Sequence, residues 1–154
     1  MANTYSQIYI QIIFAVKGRE NLVVEEKRNE LEKFITGIVK NRKQKLLAIY
    51  INPDHAHLLI GLNNLDMKIS DLVRDIKAGS SKMINDNNWF HFKFAWQEGY
   101  GAFSYSKSQI DSVVTYILNQ NEHHKKKTFR EEYLKILNDL NVDYDERYLF
   151  DFLA

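Results

Sequence analysis

Leu46-Leu-Ala-Ile-Tyr-Ile51, Asn52-Pro-Asp54 and His55-Ala-His-Leu-Leu-Ile-Gly-Leu62 run on without a break, and together they read as strand, turn and strand. Both flanking runs are apolar and rich in strand-forming residues, and Pro53 presets the backbone for a reversal, so the second run returns antiparallel to the first. Side chains two apart on a strand share a face, and His55 and His57 therefore point the same way. Two imidazoles on a rigid backbone make half of a metal site, because neutral histidine is the commonest side-chain ligand of divalent metals.

Outward from this hairpin the patterns alternate. Tyr5 to Val16 gives a mostly alternating strand through Tyr5, Ile8, Ile10, Ile12 and Phe14. Val24 to Lys43 has Leu31, Phe34, Ile35 and Ile38 at helical spacing. Asp66 is placed to cap a second helix, with Ile69, Leu72, Val73 and Ile76 inward, Lys77 and Lys82 outward, and Gly79 as a weak point. Phe92 to Ser104 is aromatic and extended, interrupted by Gly99 and Gly101, and predicts a fourth strand with a bend or bulge. A helix is predicted from Ser106 to Lys126 and a short last one from Thr128 to Asn138. The order strand, helix, strand, strand, helix, strand is the α+β, ferredoxin-like split βαβ arrangement: an antiparallel four-stranded sheet with helices on one face. Many unrelated functions share that fold, so function has to come from the site.

A chain of 154 residues, 45% hydrophobic, makes one domain over 1–154, with the short last helix and an acidic tail from about 128. The absence of cysteine excludes a disulfide framework, thiolate metal sites and thiol nucleophiles. The opening residues lack a secretory pattern and no run reaches membrane-spanning length, which gives the expectation of a cytoplasmic protein with no membrane partner. A net charge of +1 argues against indiscriminate coating of nucleic acid. Basic residues instead cluster locally, in 40–45, in 74–82 and in 123–130, the last just beyond Tyr116 and Gln120.

Ser106-x-x-Gln109 fits a capping box, and Ile110, Val113, Val114 and Ile117 form the stripe that should face the sheet. At about 100° per residue, Tyr116 lies roughly 110° from the stripe centre, on the polar side with Gln109, Ser112, Asn119, Gln120 and His123. Tyr116 and Gln120 are one turn apart. On a helix lying against two strand histidines, they place a nucleophile beside a third metal ligand. Taken singly, the histidines read as satisfied strand residues and Tyr116 as a packing residue; their combination argues otherwise. Adjacent histidines diverge by about 100° on a helix, so His123 and His124 cannot easily share one ion, and they are assigned to phosphate contact or to the fold. Trp96 and Phe103 read as core.

His-x-His on a strand followed by Tyr-x-x-x-Gln on a later helix resembles the small single-tyrosine HUH transposases of the single-stranded-DNA insertion sequences, among them the REP-associated tyrosine transposases. The resemblance also takes in Asn52-Pro53-Asp54, Lys77 with Ser80 and Ser81, the block Trp96-Gln-Glu-Gly-Tyr-Gly-Ala-Phe-Ser104 and Glu122-His-His124, and so covers nearly the whole chain. Ala56 departs from the larger apolar residue usual there, on the side facing away from the metal. The resemblance implies Tyr116 as nucleophile, His55, His57 and Gln120 as ligands of magnesium or manganese, and Lys77 as a DNA contact; Lys82 in its basic cluster, and His123, Lys125 and Lys126 just past the tyrosine where a phosphate must be held, are the further candidate DNA contacts. Its implied substrate is single-stranded DNA carrying hairpins at element ends, cut and rejoined through a 5′-phosphotyrosine. It further implies a homodimer whose tyrosine helices serve the partner's histidines.

Imidazole ligands favour manganese or a later metal, whereas magnesium prefers oxygen. A free phenol titrates near 10, so a metal and a nearby lysine are the expected means of lowering it. Two alternatives stay open: a metal-dependent phosphodiesterase using water, and a domesticated, non-catalytic module that binds hairpin DNA.

Overall fold

The computed structural model describes residues 3–18, 22–124 and 126–151, without the side chain of His123. Four strands, β1 (Tyr9–Ala15), β2 (Lys45–Ile51), β3 (His55–Gly61) and β4 (Gly101–Tyr105), form one antiparallel sheet in the order β2-β3-β1-β4. The main helices are α1 (Glu25–Asn41), α2 (Ile69–Asp86), α3 (Ile110–Leu118), α4 (Gln120–His123) and α5 (Phe129–Asp139). Inserting β3 between β1 and β2 is the split βαβ arrangement that the element order predicts.

Alternation along β3 sorts the rest of the molecule. Ala56, Leu58 and Ile60 join Ile10, Ile12 and Phe14 of β1 in a core closed by Leu31, Ile35 and Val39 of α1 and by Leu72, Val73, Ile76 and Ile84 of α2. These two helices lie on one face, as expected. The opposite face is covered as well, by α3 and α5, which is why β3 is buried at every position and carries a continuous rather than an alternating apolar run. Leu59 packs under Ile110, Val113 and Ile117 of α3, while Ile13 and Ala15 of β1 pack under Phe129, Tyr133 and Leu137 of α5. His55 and His57 share the face of Leu59, so they lie in a polar seam between two apolar patches.

Several boundaries differ from the sequence reading. Asp66 does not cap α2; the cap position is Lys68, without a side-chain hydrogen bond. Gly79, expected as a weak point, is where α1 and α2 meet, since a Cβ there would stand 2.8 Å from Cδ1 of Ile38. The strand expected over Phe92 to Ser104 shrinks to β4 and one isolated bridge, Val16 to Trp96. Its aromatic residues stack instead of pairing: Phe90 lies on Phe92 at 5.1 Å and on Phe94 at 5.9 Å. The long helix from Ser106 begins with the expected capping box and a 3-10 turn, but breaks at Asn119 (φ −97°, ψ 20°) into α3 and α4. A new capping box, Thr128 with Glu131, then starts α5, and it requires an extended Thr128 that ends any continuing helix.

Candidate active site

The turn after β2 sets the first ligands. Asn52 N–H donates to the carbonyl of His55 at 2.7 Å, closing the hairpin directly before the histidines. Asp54 Oδ1 takes the Nδ1 side of His55 at 2.6 Å, which turns Nε2 inward, where the Asn52 amide nitrogen stands 3.1 Å away. Gln11, opposite Leu59 on β1, meets His57 Nδ1 at 3.0 Å, and Tyr105 donates to the same amide at 2.8 Å. Each strand histidine thus has its outer nitrogen held by a neighbouring side chain, the usual support of a metal-ligating imidazole.

The inner nitrogens converge on one carboxylate that sequence reasoning missed. Oε1 of Glu132 lies 3.1 Å from His55 Nε2, 3.2 Å from His57 Nε2 and 3.1 Å from His124 Nε2. One ligand atom from each of these four residues falls within 4.8 Å of all the others. His124, assigned from sequence to phosphate contact or to the fold, is therefore part of the cluster. His124, at the end of α4, has its Nε2 2.9 Å from Gln120 Oε1 as well. Phe129, the first residue of α5, stacks on His55 at 3.8 Å and 8°, fixing that ring from the far side.

Tyr116 and Gln120 arrive from α3 and α4. The Tyr116 hydroxyl donates to Oε2 of Glu132, and Gln120 Nε2 donates to the same oxygen at 3.0 Å. Gln120 Oε1 accepts from Asn52 at 3.1 Å and lies 2.9 Å from His124 Nε2. The Tyr116 ring stands 5.9 Å from that of His57. His55, His57, Gln120 and Glu132 are buried, whereas Tyr116 and His124 are half-buried. Tyr116 lies beside His57 of its own chain.

Electrostatics follow from burial and from that one carboxylate. Burial pushes the Tyr116 phenol far above its ordinary value, and the charge and hydrogen bond of Glu132 push the same way. Burial would also raise Glu132, but His57, His124 and His55 outweigh it and hold the carboxyl well below its usual range. Burial lowers His57, with Glu132 offsetting part of the effect. For His55, hydrogen bonds to Asp54 and Glu132 overcome burial and raise it.

These side chains fit a divalent ion. Each of the three Nε2 atoms lies 3.1–3.2 Å from Oε1, and the four ligand atoms all fall within 4.8 Å of one another, close enough to converge on a single ion. A set dominated by imidazole suits manganese or a later metal better than magnesium.

The remaining basic candidates are elsewhere. Lys77 is half-buried on the other face of the sheet, 5.7 Å from the Phe14 ring, and donates to the carbonyls of Gln97 at 2.8 Å and Gly99 at 2.5 Å. It borders a groove of about 420 Å³ lined also by Arg74, Ser81, Trp96 and Tyr100. Lys82 is exposed and paired with Asp86 at 2.6 Å. Lys126 is exposed between α4 and α5. Lys125 and the side chain of His123 lie outside the described residues.

The four-stranded antiparallel sheet with this connectivity matches the fold of a tyrosine transposase. The family model for IS200-like transposases matches residues 4–120, and the chain belongs to that family. Among solved structures, a candidate transposase from Deinococcus radiodurans is similar at TM-score 0.60 and 24% identity, over 78% of this chain and 95% of that one. The REP-associated tyrosine transposase bound to a REP hairpin is similar at TM-score 0.61 and 17% identity, over 100% of this chain and 93% of that one. A sequence comparison with curated proteins finds no match. Among the described residues no helix is long and apolar enough to cross a membrane.

Proposed function

We propose that the protein cuts and rejoins single-stranded DNA at hairpin-marked ends, with Tyr116 as the nucleophile. The observation that carries this reading is the Tyr116 hydroxyl bonded to a carboxylate that also touches His55 and His57, so a nucleophile and a metal-ligand cluster meet at one point. In the reaction the phenol loses its proton, its oxygen forms a bond to phosphorus, and the bond from phosphorus to the 3′-oxygen breaks. The 3′-oxygen takes up a proton and leaves as a hydroxyl, and the DNA stays attached as a 5′-phosphotyrosine whose energy serves rejoining.

His55, His57 and Gln120 would hold magnesium or manganese; when bound, the ion polarises the scissile phosphate and offsets charge on the departing oxygen. His124 and Tyr116 are half-buried, and a phosphate would reach the cluster from their side. Lys126, with Lys125 and His123, would hold the backbone beside the nucleophile. Lys77 and Lys82, on the far helix, would contact flanking DNA. That a similar transposase has been solved with a REP hairpin supports a hairpin as partner. A homodimer is compatible with this reading, but we place each site within one chain, because Tyr116 already stands 5.9 Å from its own His57.

The test is incubation of labelled single-stranded hairpin DNA with protein and manganese, followed by denaturing electrophoresis. A denaturant-resistant adduct supports strand transfer. Cleavage without one indicates hydrolysis by water, and a mobility shift without cleavage indicates a binding module.

A further inference from the structure

The two oxygens of Glu132 serve different halves of the site. Oε1 faces the three convergent imidazoles, while Oε2 accepts from Tyr116 and Gln120. The residue is 2% exposed, and it sits on α5, beyond the segment that matches the family model. A carboxylate oxygen buried among three converging imidazole nitrogens is a donor set that a divalent cation can share, since each imidazole offers Nε2 as a ligand when neutral. Fold and sequence both hold it there. Phe129, Tyr133 and Leu137 dock α5 on the sheet, and Glu132 occupies the same buried stripe, with the Phe129 ring stacked on His55.

We infer that Glu132 is an additional ligand of the divalent ion and, through its second oxygen, the residue that positions Tyr116 against the metal centre. This deepens the proposed function and rests on reading Tyr116 as the nucleophile. The donor set becomes three imidazoles and a carboxylate beside the Gln120 amide. Such a set selects a first-row transition ion over magnesium.

The experiment uses the full chain without DNA: calorimetric titration with Mn²⁺ and visible absorption with Co²⁺, for the wild type, Glu132→Gln and Tyr116→Phe. Glu132→Gln keeps the size of the side chain, and we expect Mn²⁺ to bind about tenfold or more weakly, with altered Co²⁺ bands. Tyr116→Phe should match the wild type in both. A second arm measures adduct formation at saturating Mn²⁺, where Glu132→Gln should be slower by about tenfold or more, since the hydroxyl loses its charged partner. If Glu132→Gln does not fold by circular dichroism, Glu132→Asp carries the same test, because it retains the charge and withdraws the oxygens by one methylene. Unchanged Mn²⁺ affinity and Co²⁺ bands would overturn the ligand assignment. A faster adduct in Glu132→Gln would overturn the positioning role and mark the carboxylate as an obstruction. Failure of the underlying reading is distinguishable, because the wild type would then form no adduct, whatever its metal affinity.

Discussion

The hydroxyl of Tyr116 on α3 is hydrogen-bonded to the carboxylate of Glu132 on α5, and that carboxylate is also within 3.2 Å of His57 on β3. Three elements distant in sequence thus meet at one side chain. The arrangement depends on α3 and α5 being pressed against the same face of the sheet, and the packing beneath them is open to direct test.

Ile117 is fully buried between α3 and the sheet, one residue past Tyr116. Ile117→Ala should cost about 2–5 kcal/mol, from lost burial and from the cavity left behind. Urea unfolding followed by circular dichroism measures this. Adduct formation should fall more than the folded fraction does, because the helix that aims Tyr116 loses its anchor.

Two glycines predict opposite behaviour. A Cβ at Gly101 would stand 2.6 Å from the Tyr133 hydroxyl and 2.8 Å from the Phe103 ring, where α5 packs on β4. Neither aromatic group can move aside cheaply, so Gly101→Ala should destabilise by about 1–3 kcal/mol. At Gly79 the obstacle is the flexible tip of Ile38, and alanine gains up to about 1 kcal/mol of helix propensity. Gly79→Ala should therefore melt within a few degrees of the wild type, well above Gly101→Ala, in thermal denaturation.

Much of the fold was legible because its signals are short-range. The Pro53 turn, the His55–His57 spacing, the stripe of Ile110, Val113 and Ile117 and the Ser106 capping box all depend on neighbours within one or two turns. Phe92 to Phe94 misled because aromatic residues favour strands, while here both rings stack on Phe90 and Phe94 meets Trp96 in the core. Asn119, where the long helix breaks, carries no glycine or proline to announce it. Glu132 was missed because its partners come from three remote elements. One local signal existed: a charged residue lying on the apolar stripe of Phe129, Tyr133 and Leu137.

Whether the site works within one chain is answered by mixing. A His55→Ala, His57→Ala protein combined with Tyr116→Phe, under conditions that exchange subunits, restores no intact site if nucleophile and ligands belong to one chain. We expect no recovered cleavage. Sites shared across a two-fold dimer would instead return roughly a quarter of wild-type activity, with about half the dimers mixed.

The central claim is that Tyr116 becomes covalently joined to DNA. Wild type and Tyr116→Phe are incubated with hairpin-bearing single strands and Mn²⁺, digested with protease and analysed by mass spectrometry. Tyr116→Phe removes one hydroxyl and leaves Glu132 its imidazole contacts, so its melting temperature and hairpin affinity should stay close to those of the wild type. The account predicts a nucleotide-bearing peptide containing Tyr116 in the wild type, and neither adduct nor nicking in the variant. An adduct on another residue, or nicking retained by Tyr116→Phe, would contradict it.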